Sequence, residues 1–364
     1  MAYKLIITAD DYGINRAVDD AIINAIDLGL INSVTVLMNF ERSVPALKRL
    51  VRFLDRRGWV DKVGVGIHLN VVTGKAITTT HNGLLVKNDL GDFYTSAHYF
   101  NSDNKKLLNQ IQINRELYAQ VDLFLTSIED TGIDVPLDHF TSQFNALHNI
   151  DKFAVVVGSL SYYYSAHGKY PGKPIPLRRP LPVGMELKDI RGVTRMWRET
   201  RKYITRDIFN KQLGELTFAL GNLNRAELLE VADGIFKYNG IVCPHLMFFS
   251  FFASGYFIER GDNNPPVPVS KIGQLIQLLP AFYEASISSG KINDGDDLYI
   301  EVVHHIGRLP NPDELMEASE ISGFNFEYFE TYRKYEYDLI RSSEYRVLLN
   351  HPEVSMGNYS DMNA

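Results

Sequence analysis

The chain has 364 residues, 45% of them hydrophobic, and its 37 lysines and arginines against 44 aspartates and glutamates leave a formal charge of -7. This is globular composition with ample apolar material for a core, neither disordered nor fibrous. The acidic balance, without long runs of either sign, argues against phosphate-backbone recognition, and no segment approaches the roughly 20 apolar residues that span a bilayer.

In chain order, Leu5 to Thr8 is a short apolar, β-branched run suited to a strand buried on both faces, with Asp10-Asp11-Tyr12-Gly13 as a polar turn after it. From Asn15 the period changes. Val18, Ala21, Ile22, Ala25 and Ile26 share a helical stripe, with Asn15 as N-cap and Gly29 as stop. Residues 33–38 read as a second strand, completing a β-α-β unit of the kind that builds parallel sheets. The segment SVPALKRLVRFLDRRG predicts a helix capped by Ser43, with Pro45 early in its first turn and an end at Gly58. Residues 62–70 form a third strand, 107–128 a helix and 138–145 a fourth, more polar strand. Beyond them come a helix over 213–238, the apolar IVCPHLMFFSFFASG, an amphipathic stretch over 273–286, a strand over 298–303 and a charged terminal helix over 328–349. The alternation predicts a barrel-like parallel α/β fold with function at the carboxyl ends of its strands. The single cysteine, Cys243, and an N-terminus without a signal-peptide pattern predict a soluble, cytoplasmic protein.

Adjacent carboxylates just past a buried strand push their pKa values apart, so Asp10 and Asp11 can divide the work of base and metal ligand. They are equally at home before a helix N-terminus, where the dipole favours negative charge. His68 ends the strand KVGVGIHLN, in which Gly64 and Gly66 keep bulk low; it is either a metal ligand or a satisfied structural histidine. At period two His139, Thr141, Gln143 and Asn145 share a face, lining a site or a water-filled cavity. His304 and His305 are neighbours on a strand, so at most one faces the site. Arg178 and Arg179 pair with a carboxylate or phosphate, reach across to a site acid, or lie in a surface loop. The aromatic run Phe248, Phe249, Phe251, Phe252 and Tyr256 offers stacking surface for a sugar, or core.

TADDYG, LINSVTVLMN, GIHLNVVTGKAI and EVVHHIG, in that order and spacing, resemble the YdjC family of carbohydrate deacetylases, the pair TADDYG with GIHLN being the specific part. The resemblance implies one domain over 1–364, a (β/α) barrel, TIM-like or incomplete, similar to polysaccharide deacetylases, with insertions near 78–105 and 162–205. It implies removal of acetyl groups from N-acetylated sugars with a divalent metal, magnesium or zinc. Carried across residue by residue, it makes Asp11 and His68 metal ligands, Asp10 the general base and His305 of His305-Ile306-Gly307 the acid; Arg178 is the substrate-binding candidate.

The fourth strand departs from the family's HxDSHxH pattern, and the histidine ligand falls on Gln143. An amide oxygen suits a hard cation such as magnesium and suits zinc poorly. A weaker metal site, recruitment of His139 or His148, and no metal all stay open. The leading expectation is metal-dependent deacetylation of a small carbohydrate, without nucleic-acid or membrane partners and with a homodimer to consider. The alternatives are a carbohydrate-binding or regulatory homologue with weakened catalysis, and hydrolysis of another amide or ester.

Overall fold

The computed structural model describes residues 2–78, 86, 88–94, 110–143, 160, 175–178, 242–249, 256–258, 267–269, 272–288, 290, 292–311, 314 and 326–363. In chain order the elements are β1 (Tyr3–Tyr12), α1 (Arg16–Asp27), β2 (Ser33–Val36), α2 (Ser43–Arg57), β3 (Gly64–Leu69), α3 (Gln110–Glu129), β4 (Leu137–Ser142), β5 (Leu246–Phe249), β6 (Tyr256–Ile258), β7 (Val267–Val269), α4 (Ile272–Ser288), β8 (Leu298–His304), α5 (Phe326–Ile340), α6 (Ser343–Leu349) and β9 (Val354–Met356), followed by a 3-10 turn over Tyr359–Asn363. The expected helix over 213–238, and most of 78–105 and 162–205, lie outside the described residues.

The main sheet runs β4-β3-β2-β1-β8-β5, with β9 added beside the start of β1, and all its pairings are parallel. A short antiparallel pair, β6 with β7, stands apart. Past β4, residues 175–178 run alongside Phe140: Phe140 N–H donates to Pro176 O, Arg178 N–H to Phe140 O, and Leu177 N–H to Val242 O on the approach to β5, each at 2.9 Å. The sheet is therefore an open, barrel-like α/β arrangement; a closed eight-stranded ring is not present among the described residues.

Packing in α1 follows the predicted stripe. α1 buries Val18, Ala21, Ile22, Ala25 and Ile26, and α2 buries Ala46, Leu47, Leu50, Val51 and Leu54. Each large aliphatic side chain so placed contributes about 1.5–3 kcal/mol relative to exposure. Asn15 caps α1 by accepting from Val18 N–H at 2.9 Å, as expected. Ser43 does not cap α2: the N-cap is Arg42, and the Ser43 hydroxyl accepts from Phe40 N–H instead. The terminal helix is two helices, because Ser342 caps α6 through Tyr345 N–H and interrupts the run.

The largest local difference lies in TADDYG. The turn expected at Asp10-Asp11 is the end of β1, which pairs with β2 at Ala9↔Val34 and again at Tyr12↔Val36. The extra residue is a bulge, and Asp11 takes φ 68°, a left-handed conformation that aspartate tolerates better than most residues. The bulge re-aims consecutive side chains, so that both aspartates are buried at the strand's carboxyl end.

Candidate active site

Asp10, at the end of β1, is gripped from one side by Arg178, whose Nη1 and Nη2 donate to its two oxygens at 2.5 and 2.7 Å. Thr35 on β2 donates to Oδ1 at 2.7 Å. The same guanidinium reaches Glu301 on β8, donating from Nε to Oε1 at 2.9 Å. Arg178 is only 1% exposed, so of its three alternatives the structure realises the reach to a site acid. Burial pushes the Asp10 pKa up, but Arg178, with His68 and His305 nearby, outweighs it and holds the carboxyl well below the usual range.

Asp11 turns the other way. Its Oδ2 is paired with Arg333 of α5, while its Oδ1 is buried with no hydrogen-bond partner among the described residues, 3.5 Å from His68 Nε2. Burial raises this pKa too, and Arg333 followed by His68 brings it below the ordinary value. His68 contacts Thr141 Oγ1 through Nδ1 and Gln143 Oε1 through Nε2. Burial lowers its pKa against the pull of both aspartates, which favours the neutral ring. A neutral imidazole has one N–H. With that proton on Nδ1 toward Thr141, the Nε2 lone pair faces Asp11 Oδ1 and Gln143 Oε1, and three electron-pair donors converge.

That convergence is what a cation satisfies. No three His, Cys, Asp or Glu side chains gather as a metal site among the described residues, because the third donor is the amide of Gln143. One carboxylate oxygen, one imidazole nitrogen and one amide oxygen fit a hard, oxygen-preferring divalent ion and fit zinc poorly. His139 is not in this group. Its Nδ1 is 2.9 Å from Asp138 Oδ2, and its ring stacks on Tyr359 with centroids 4.1 Å apart. Gly66 makes room for it, since a Cβ there would lie 2.5 Å from the imidazole. Asn145, His148 and Arg179, and the side chains of the aromatic run over 248–256, lie outside the described residues.

The adjacent histidines diverge as alternation requires. His304 is buried, with Nε2 2.9 Å from the Tyr345 hydroxyl. His305 is 32% exposed at the rim, with Nε2 3.8 Å from Asp10 Oδ2. Two residues of α5 clamp this corner: Arg333 on Asp11, and Glu336, which accepts from His305 N–H at 2.6 Å. The i, i+3 spacing puts both on one helix face. Sequence reasoning missed Glu301, Arg333, Glu336 and Tyr359. Glu301 had a signal, a lone acid inside the apolar strand LYIEVV; Arg333 sits in the charged run RKYEYD, where nothing distinguishes it.

The family described as YdjC-like protein matches residues 4–351. Among curated relatives, a carbohydrate deacetylase of Halalkalibacterium halodurans is 31% identical over 121 residues, 33% of this chain and 47% of that protein. Carbohydrate deacetylase 2 of Listeria innocua is 34% identical over 125 residues, 33% of this chain and 44% of that protein. A carbohydrate deacetylase of Vibrio vulnificus is 29% identical over 161 residues, 44% and 56% of the two chains. The matched stretches thus span about half the length of these relatives. A crystal structure from Enterococcus faecalis, of a protein provisionally assigned to cellobiose-phosphate cleavage, superposes with a TM-score of 0.58 at 18% identity, covering 99% of each chain; that likeness is one of fold.

Proposed function

The chain belongs to the YdjC-like family, and from that premise we propose that it hydrolyses the N-acetyl group of an amino sugar or short oligosaccharide. The observation that carries this reading is the meeting of Asp11 Oδ1, His68 Nε2 and Gln143 Oε1 beside Asp10, at the carboxyl ends of β1, β3 and β4. Asp11, His68 and Gln143 would hold a divalent ion, magnesium fitting better than zinc. Such an ion, when bound, polarises an acetyl carbonyl and acidifies water.

The protein's own groups account for the rest. Asp10 is kept ionised by Arg178, so the form able to take a proton from water is fully populated near neutral pH. The same pairing makes it a modest base, and what it contributes is position. His305, at the rim and within reach of Asp10, donates a proton to the departing sugar nitrogen. Arg178, the substrate-binding candidate, acts in this reading on Asp10, because its donors are turned toward Asp10 and Glu301.

Acetate release from N-acetylglucosamine oligomers, with and without added magnesium, tests the proposal; no release under any metal condition defeats it for that substrate class. A second reading, a carbohydrate-binding or regulatory homologue, is favoured by the amide at position 143 and by the arginine already on each aspartate. Sugar binding without acetate release selects it.

A further inference from the structure

The tail after α6 enters the interior of the sheet. β9 pairs with Tyr3–Leu5 of β1, Gly357 N–H donates to Leu5 O at 3.0 Å, and Asn32 Nδ2 donates to Gly357 O at 2.7 Å. These bonds fix the chain at the amino end of β1. The 3-10 turn then crosses toward β4, where Ser360 N–H donates to Asp138 Oδ1 at 3.3 Å. Between these anchors Tyr359 is fully buried, its ring stacked on His139.

Glu301 lies deeper than Asp10, opposite Ile6 in the β1–β8 ladder. Its Oε1 holds Arg178, whereas its Oε2 and the Tyr359 hydroxyl are both buried and neither has a hydrogen-bond partner among the described residues. Burial, then the neighbouring Glu301 carboxylate, push the Tyr359 phenol's pKa well above its ordinary value, so the hydroxyl keeps its proton. A buried carboxylate oxygen without a donor is costly. The neighbouring phenol is the donor that can meet it, and a bond between the two would fix the plane of the carboxylate and thereby the angle at which Glu301 holds the fork of Arg178 against Asp10.

We propose that Tyr359, delivered by the C-terminal tail, is a positioning residue for Asp10, acting through Glu301 and Arg178. Its rate readout rests on the deacetylase reading. Tyr359→Phe removes one oxygen and keeps the ring stacked on His139. The expected result is a fall in kcat of about tenfold with KM little changed, as for loss of one hydrogen bond to a charged group. The effect should not add to that of Glu301→Gln, since both act along one chain of contacts. A measurement independent of turnover is the NMR signal of the Arg178 Nε–H, assigned by its absence in Arg178→Lys, which should shift in Tyr359→Phe. An unmoved Arg178 signal in folded Tyr359→Phe overturns the proposal whether or not the protein releases acetate. Absence of acetate release from the parent protein together with a shifted signal defeats the deacetylase reading alone.

Discussion

The chain up to residue 143 and the chain from residue 175 onward bring opposite chemistry to one rim. The first supplies electron pairs: Asp10, Asp11, His68 and Gln143. The second supplies the guanidinium groups of Arg178 and Arg333, with His305 at the mouth. Neither set is tenable alone, because adjacent buried carboxylates repel one another and an unpaired buried charge costs several kcal/mol. Their contacts join residues 168 and 322 positions apart, so the site's charge balance is a property of the completed fold.

If the first half carries the chemistry, Asp10→Asn should lower acetate release by roughly 10²–10⁴-fold, the usual range for a lost acid or base, with substrate binding retained. A smaller loss would move the base elsewhere. Next in size is the dependence of one half on the other. Arg178→Met leaves Asp10 and Glu301 buried without their cation and should cost about 3–5 kcal/mol in urea unfolding; a loss below about 1 kcal/mol would break the comparison, since the halves would then not need each other.

Arg333→Met sharpens the same point at Asp11. Without the guanidinium, a divalent ion becomes the available counter-charge, so added magnesium should stabilise the variant more than the parent, by an extra amount on the order of 1 kcal/mol at ion concentrations several times Kd. Equal responses in a thermal melt would mean that Asp11 does not bind the ion. Gln143→His should give zinc a stabilising effect that it lacks in the parent, because imidazole replaces an amide oxygen.

The smallest expected effect concerns Asp19, an acid that the first half leaves incompletely compensated. Its oxygens meet Gly13 N–H at 2.7 Å and Arg42 Nη2 at 3.4 Å. Burial outweighs those contacts and raises its pKa to about 6. A folded-state value above the unfolded one means stability present below about pH 4 and lost as pH rises through 6. Asp19→Asn keeps the acceptor for Gly13 and removes the titration, so the parent should lose more stability than the variant between pH 5 and pH 7. Parallel urea midpoints at the two values would contradict this.

Much of this was readable beforehand, for local reasons. Asn15, the stripe from Val18 to Ile26 and the strand ending in His68 follow from period and capping, which depend on near neighbours. Alternation correctly separated His304 from His305 and put Thr141 and Gln143 on the face that His68 touches. The same rule put His139 on that face too; its ring sits over Gly66, against Asp138 and Tyr359, and so does not join the group at His68. Asp10-Asp11 reads as a turn, since two acids end most strands. Pairing of Tyr12 with Val36 extends the strand past them, and the bulge absorbs the extra residue.

The sequence by itself determined a parallel α/β arrangement and the motifs that carry the acids and the first histidine, because periodicity and short spacings are properties of neighbouring residues. Only the tertiary structure decided what charge those acids bear and which cation each one faces. A carboxylate's ionisation depends on everything within a few ångströms of it, and for Asp10 and Asp11 those neighbours come from a short segment beside β4, the end of β8 and a helix near the other terminus.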